Sequence, residues 1–385
     1  MGQKGTAQLT HTLLSPEDTL RLNVLLAGSV EAIRIDEGGL ALHALTERGE
    51  AKVPLHPNCR ADQYLLRVRE LLGGHALDSP GGYPVYLKRW TRMGQASGAN
   101  LDALLLLGEP EAVVAVAHAP GLTDALARRV WWAMPTMEIA RCMLAQDTVA
   151  SGTMGPVLAE FLVEHMPFEE DADANLETMH LVLSAGLADA RTLAELWAKA
   201  RRQPYHYLAF LEVLPDALPD ELPAREPASI HALQNLAQHG NPFAAQLLRC
   251  YGRSGQSFLR AAGEVLTKPV THNIVYRSLQ VIADYFAPVR PGKAVAPQIE
   301  ALVAAAETLS ALDEAQRAAV TEILNAAGDL GSDLKAMTLL GSLSSKVAEP
   351  VLTRTTAVGP LMRRKLEAVV APISAHLGQL RGAVP

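Results

Sequence analysis

The sequence is poor in aromatic residues and has no long uncharged apolar run. Phe, Trp and Tyr together make up 5% of its 385 residues, whereas alanine and leucine are abundant. This balance favours α-helices packed through small and γ-branched side chains over a β core of aromatic residues. No uncharged apolar segment reaches the roughly 18–20 residues that a bilayer span requires. The composition therefore predicts a soluble, mainly α-helical protein.

Cysteine is also scarce. Cys59, Cys142 and Cys250 are isolated and form no CxxC pair. A sparse, odd set argues against a disulfide-stabilised fold and for a reducing compartment. Residues 1–22 lack a continuous apolar core followed by a small-residue cleavage site, so we expect no signal peptide. These features predict a cytoplasmic protein.

Known motifs of catalysis and cofactor binding are absent. The 12 histidines are scattered, without an HExxH motif or a Cys/His cluster, so the sequence predicts no metal site. It contains no P-loop, no GxGxxG after a strand and no GxSxG elbow. We therefore expect no cofactor and no catalytic residues of a known class. His118, on an apolar helix, is predicted to be a core histidine with its hydrogen bonds satisfied.

The formal net charge of −7 disfavours non-specific binding of the whole molecule to nucleic acid. Seven acidic residues and no Lys or Arg fall within residues 157–177. Asp171, Asp173 and Asn175 alternate as at the start of a calcium loop. However, Leu176 replaces the glycine that the loop requires, and no Glu closes it. We interpret the run as a solvated loop whose charge attracts a basic partner or the basic segment described below.

The N-terminal part is predicted to form a small α+β head. Ser15-Pro16 is a helix-start signal, and three short alternating runs separated by Gly-containing turns follow it. These runs, typical of a three-stranded meander, cover residues 32–35, 40–45 and 51–55. A helix over residues 59–72 would cover their apolar face.

Residues 101–135 are predicted to form two back-to-back helices that are separated at Pro120-Gly121. Arg128 and Trp132 share the outer face of the second helix. Either the next helix layer covers Trp132, or the two side chains anchor a partner, a role in which both residue types are enriched.

Paired helices recur after this point with a period of about 32–37 residues, which is typical of an α-solenoid. Tetratricopeptide and ankyrin signatures are absent, so the resemblance to irregular HEAT-like repeats is one of pattern only. Four prolines at a spacing of four, together with acidic residues, predict an extended linker and a domain boundary. The predicted division of the chain is a mobile N-terminus (1–14), the head (15–95), helical repeats (96–214), the Pro-rich acidic linker (215–228), a helical region (229–287), a second linker (288–297) and Ala-rich helices (298–385).

The segment SPGGYPVYLKRWTRMG, residues 79–94, interleaves aromatic and cationic side chains and contains no acid. Such side chains bind single-stranded nucleic acid by stacking and phosphate pairing. The composition also fits contact with a partner protein, or a linker whose aromatic side chains pack between two domains. The predicted contact residues are Tyr83, Tyr86, Lys88, Arg89, Trp90 and Arg92, together with Arg128 and Trp132.

Three stretches resemble the DsrS-type proteins, which are encoded in the gene clusters for the reverse-operating dissimilatory sulfite reductase of sulfur-oxidising bacteria. They are LSPEDTLRLNVLLAG with AIRID, SPGGYPVYLKRWTRMGQ, and LLLLGEPEAVVAVAHAPGLTDALARRVWWAMPT. The resemblance is strongest over about residues 14–135. It implies a cytoplasmic accessory protein that supports oxidation of stored sulfur through expression or assembly of that machinery, without a cofactor.

Three hypotheses for function follow. The first is a non-catalytic adaptor that contacts proteins of the sulfite reductase system. The second is an RNA-binding post-transcriptional regulator of that system, acting through residues 83–92. The third is an enzyme with an unrecognised site, which a deep pocket with converging titratable groups would favour.

Overall fold

The computed structural model describes residues 14–77 and 101–382. This part of the chain is mainly α-helical and contains a three-stranded antiparallel sheet, as the sequence predicts. Its contacts divide the chain into two compact units, Met1–Glu164 and His165–Pro385. The division falls at neither predicted linker, since residues 215–228 and 288–297 both lie within the second unit. None of the described helices is long and apolar enough to cross a membrane.

The sheet of the first unit is the predicted meander, with the order β1-β2-β3. The register places Ile33 opposite Ala44 and Leu42 opposite Val53, so the apolar side chains share one face. The strands are β1 (Val30–Asp36), β2 (Ala41–Thr46) and β3 (Gly49–Pro54).

Two helices cover the apolar face of the sheet, α1 (Pro16–Leu26) and α2 (Ala61–Leu77). The Ser15 side chain caps α1 by accepting the backbone N–H of Asp18. The helices and strands form one core, which excludes water from one side of a sheet too small to be stable alone. Its buried members include Leu22, Leu26, Ile33, Leu42, Val53, Tyr64, Leu65, Val68 and Leu72.

The remaining helices of the first unit close the outer edge of β1. The backbone N–H of Ile33 donates to the carbonyl of Leu105 at 2.8 Å. Gly108 has φ +64°, and a Cβ there would lie 3.0 Å from Ile35, so this close approach favours glycine. The helices are α3 (Leu101–Leu104), α4 (Pro110–Ala117), α5 (Asp124–Ala133), α6 (Met137–Leu144), α7 (Asp147–Ala150) and α8 (Met154–His165).

Two local predictions in the helical region have different outcomes. The predicted break at Pro120-Gly121 is present, and Thr123 caps α5 by accepting the N–H of Leu126. The prediction that His118 lies in the core is wrong. His118 is the C-cap residue of α4 and is exposed, because the helix ends one residue before it.

In the second unit, all the secondary structure described is helical, and its helices begin and end close to the predicted positions. Asp313 caps one of them at its predicted start. The helices of this unit are α9 (Ala172–Ser184), α10 (Ala190–Ala200), α11 (Tyr207–Val213), α12 (Ile230–Gln238), α13 (Pro242–Tyr251), α14 (Arg253–Thr267), α15 (His272–Tyr285), α16 (Ile299–Thr308), α17 (Glu314–Ala326), α18 (Gly331–Gly341), α19 (Glu349–Leu352) and α20 (Gly359–Arg381).

A HEAT-like solenoid is not confirmed. In a solenoid each repeat contacts only its neighbours along the chain. Here α20 packs against α14 and α18, and Asp173 at the start of α9 accepts hydrogen bonds from Thr271 and Asn273. Helices that are distant in sequence therefore share one core.

The Pro-rich acidic segment is packed into this core. Leu218 is buried, and Asp216 accepts two hydrogen bonds from Arg249 at 2.7 Å. Asp220 lies 3.2 Å from Arg260, and Glu221 lies 3.0 Å from Arg253. The segment contains turns and no helix or strand, and its acidic residues pair with helices of the same unit.

Candidate functional site

The structure bears on only two of the predicted contact residues. Tyr83, Tyr86, Lys88, Arg89, Trp90 and Arg92 lie outside the described residues, so their part in contacting a partner or RNA stays a prediction. Arg128 and Trp132 are described, and both lie on α5, beside the meander.

Trp132 is half-buried against the sheet. The guanidinium of Arg34 lies 4.8 Å from the centroid of its ring, within the range of a cation–π contact. Its indole Nε1–H donates to the Glu50 carboxylate at 3.3 Å. Side chains of β1 and β3 thus cover part of Trp132, and its role as a partner anchor stays a prediction. Arg128 pairs with Glu31 at 3.1 Å, and 59% of its side chain stays exposed.

Glu50 is the centre of this sheet-face cluster. Its carboxylate accepts hydrogen bonds from His43 at 2.7 Å, Trp132 at 3.3 Å and Arg34 at 3.0 Å. The hydrogen bonds from His43 and Trp132, with a smaller effect of Arg34, hold the pKa of Glu50 below its usual value. The cluster joins α5 to the sheet, and its polar groups pair with one another rather than pointing to a ligand.

A second polar cluster joins α1, α2 and the end of β3. The Asp18 side chain is fully buried, and its carboxylate accepts the Tyr64 hydroxyl and the His56 backbone N–H, each at 2.6 Å. His56 Nδ1 lies 3.0 Å from the same carboxylate. Burial acts to raise the pKa of Asp18, but the hydrogen bonds from His56 and Tyr64 outweigh it and lower that pKa. Asp18 thus holds His56 and Tyr64 in place, which is a structural role.

The second unit contains a cleft of about 480 Å³, which is within the size range of ligand pockets. Three elements form it: the 3-10 turn Met166–Phe168, the first turns of α9, and the end of α10 with the following turn Pro204–His206. The residues that carry its chemistry are Met166, Glu169, Asn175, Lys199, Arg202 and His206.

The buried polar side chains of this cleft are incompletely paired. His206 is 4% exposed, and neither of its ring nitrogens has a hydrogen-bond partner. Burial, together with the nearby charge of Lys199, lowers the pKa of His206 to about 4, so the imidazole is neutral at physiological pH. Asn175 is 5% exposed, and its Oδ1 also has no partner.

A second cleft, of about 250 Å³, is built differently. Its two arginines are paired within the protein: Arg249 with Asp216, and Arg277 with Glu212 at 2.8 and 2.5 Å. His180 lies 3.0 Å from Glu212, and this hydrogen bond raises the pKa of His180. Because its charges already have partners, this cleft is a structural ion-pair network rather than a binding site.

The remaining titratable residues form neither a metal site nor a reactive thiol in the described part of the chain. Within 14–77 and 101–382, no group of three or more His, Cys, Asp or Glu side chains is placed to hold a metal ion. The acidic run contributes to helix structure, since Asp171 caps α9 by accepting the N–H groups of Asp173 and Ala174. Burial raises the pKa of the Cys250 thiol to about 12 and also raises that of Cys142, which disfavours the reactive thiolate.

Comparisons with protein-family models, with curated proteins and with solved structures found no match.

Sequence reasoning missed Asn175 and His206. In the sequence, Asn175 resembles part of a calcium loop, and His206 precedes the predicted helix at Tyr207. One signal was available: His206 lies between Tyr205 and Tyr207 and directly before an apolar helix. A histidine in that setting is buried by its neighbours, and a buried histidine requires a hydrogen-bond partner.

Proposed function

We propose that the protein is a non-catalytic cytoplasmic accessory protein that supports the dissimilatory sulfite reductase system by contacting one of its proteins. An uncovered apolar face of α1 carries the proposal. Leu20 and Val24 lie one helical turn apart and are 66% and 67% exposed. The helix lies within LSPEDTLRLNVLLAG, one of the stretches that resemble the DsrS-type proteins.

The chemistry of this face indicates the kind of partner. Pro16 and Ala27 are exposed on the same side of the helix, and they extend the face formed by Leu20 and Val24 over its whole length. The charged neighbours Glu17 and Arg21 pair with each other. A helix with an exposed apolar face and locally neutralised charges fits an uncharged apolar groove on a partner protein.

The test is affinity purification of the tagged full-length protein from a sulfur-oxidising host, with nuclease treatment and mass spectrometry. Wild type should capture proteins of the sulfite reductase machinery. The double variant Leu20→Ser with Val24→Ser should capture them about tenfold less, because each lost anchor weakens the contact. Val157→Ser is the matched control, since Val157 is 45% exposed on α8 of the same unit.

Two outcomes oppose the proposal. One is the absence of sulfite reductase proteins from the captured material, and the other is equal capture by wild type and the double variant. Recovery of RNA that decreases steeply with salt, and is abolished by Arg89→Ala with Trp90→Ala, would favour an RNA-binding regulator instead.

A further inference from the structure

The cleft near His206 contains buried polar atoms that the protein leaves without partners. They are Oδ1 of Asn175 and both ring nitrogens of His206, in side chains that are at least nine-tenths buried. A buried polar atom without a hydrogen bond is unfavourable, and in folded proteins such atoms are rare. Three of them in residues that line one cleft indicate that a bound molecule supplies the missing hydrogen bonds.

The hydrogen bonds around the cleft determine what that molecule must offer. The Nδ2 group of Asn175 donates to the carbonyls of Met166 at 3.4 Å and Glu169 at 3.2 Å. Both amide protons are thereby assigned, so Oδ1 is an acceptor that requires a donor on the ligand. The neutral imidazole of His206 offers one donor and one acceptor.

The rim of the cleft carries two cations, one carboxylate and apolar surface. The carboxylate is that of Glu169, which accepts the backbone N–H of Asp171 at 3.2 Å. Lys199 and Arg202 line it at the end of α10, and in the described part of the chain neither forms an ion pair. This differs from the smaller cleft, where each arginine has a carboxylate. Met166 contributes apolar surface, and Phe168, two residues further on, is 82% exposed.

We propose that this cleft binds a small organic anion that combines an apolar body with a hydroxyl or amino hydrogen-bond donor. Lys199 and Arg202 bind its negative charge, and Asn175 Oδ1 accepts its donor. The proposal is independent of the contact made by α1, because the two surfaces belong to different units.

Three related small molecules test separately whether the cleft requires the negative charge and the hydrogen-bond donor of its ligand. The probe is 4-hydroxybenzoate, which carries a carboxylate, a ring and a hydroxyl donor. Its comparators are 4-methoxybenzoate, which lacks the donor, and 4-hydroxybenzamide, which lacks the charge. In NMR titrations of the full-length protein, 4-hydroxybenzoate should shift the imidazole signals of His206. Each comparator should bind at least about tenfold more weakly than 4-hydroxybenzoate, as expected when a hydrogen bond or a charge pair is lost.

Variants at the rim test the role of charge without disturbing buried residues. Lys199→Gln with Arg202→Gln should weaken binding of 4-hydroxybenzoate by about tenfold or more. The matched control is Arg201→Gln, which removes an exposed cation between the two. Arg201 lies 3.7 Å from Asp220 and should leave the affinity within about twofold.

The proposal is overturned if 4-hydroxybenzoate leaves the His206 signals unchanged at millimolar concentration. It is also overturned if the double variant binds as wild type does, or if the three molecules bind equally well.

Discussion

Arg225 of the Pro-rich segment forms an ion pair with Asp333 of α18, in which Nη1 lies 2.9 Å from Oδ2. The Asp333 side chain is 2% exposed, and it also accepts hydrogen bonds from Tyr251 and, at 2.7 Å, from Gln379. The same Nη1 of Arg225 donates to the carbonyls of Gln379 and Leu380, at the end of α20. One arginine thus joins the Pro-rich segment to α18 and caps the last described helix.

Arg225→Ala should lower the free energy of unfolding by about 3 kcal/mol, because it leaves Asp333 as a buried carboxylate without its cation. Urea denaturation of the full-length protein measures this loss. Arg253→Ala is the control. It breaks the exposed pair with Glu221 in the same segment and should cost less than about 1 kcal/mol. Similar losses in the two variants would show that the Arg225 pair has no special role.

Tyr64→Phe should destabilise the protein by about 1.5–3 kcal/mol at neutral pH, because it removes a hydrogen bond to the ionised carboxylate of Asp18. The lowered pKa of Asp18 stabilises the folded state above the usual carboxyl pKa, and this stabilisation is lost as the pH falls through the lowered value. The effect of Tyr64→Phe should therefore shrink in acid. Urea denaturation in a pH series from neutral pH to the acid pH at which wild type unfolds measures it. The control is Tyr276→Phe, at a half-buried position of α15. An effect that stays constant over the whole series would argue against an ionised Asp18.

His206→Leu should remove a pH dependence of stability. The pKa of His206 is about 4 in the folded protein, below its ordinary value of 6.5, so the unfolded state binds more protons between these values. Wild-type stability should be fully present above about pH 6.5 and should fall by up to about 3 kcal/mol as the pH decreases to about 4. Urea denaturation of both proteins across this range provides the measurement.

The control for this measurement is His118→Leu, at an exposed position of the first unit. It should retain the wild-type pH dependence, because it leaves the buried His206 in place. A pH profile of His206→Leu that follows wild type would show that His206 does not cause the effect.

Trp132→Ala should lower the free energy of unfolding by about 1–2 kcal/mol, because Arg34 and Glu50 lose their contacts with the ring. Arg128→Ala, whose side chain is mostly exposed, should stay within about 1 kcal/mol of wild type. A double-mutant cycle with Arg34→Ala isolates the cation–π part, expected at about 0.5–1 kcal/mol. If Trp132→Ala leaves stability unchanged but abolishes capture of a partner protein, Trp132 is a partner anchor instead.

Features of the fold that arise from neighbouring residues could be predicted from the sequence. Alternation between Gly-containing turns predicts the meander, and caps such as Thr123 and Asp313 predict where helices begin. Each signal lies within a few residues of the element that it specifies, and the structure therefore matches these predictions closely.

Features that depend on distant residues could not be predicted in this way. The indole of Trp132 donates a hydrogen bond to Glu50, which is 82 positions away, and no local sequence pattern connects the two residues. The spacing of the prolines predicts an extended segment but not the pairing of Arg225 with Asp333. The His206 cleft could not be predicted either, because Asn175 and His206 lie on separate elements that only the tertiary fold brings together.

The capping of α20 by Arg225 has a consequence for how the nascent chain folds. The two hydrogen bonds join residues that are 154 and 155 positions apart. At translation rates of roughly 5–20 residues per second, a ribosome needs roughly 8–30 seconds to add that length. The first unit ends at Glu164 and can fold during this interval. Because α20 packs against α14 and α18, the second unit completes its core only after translation has reached α20.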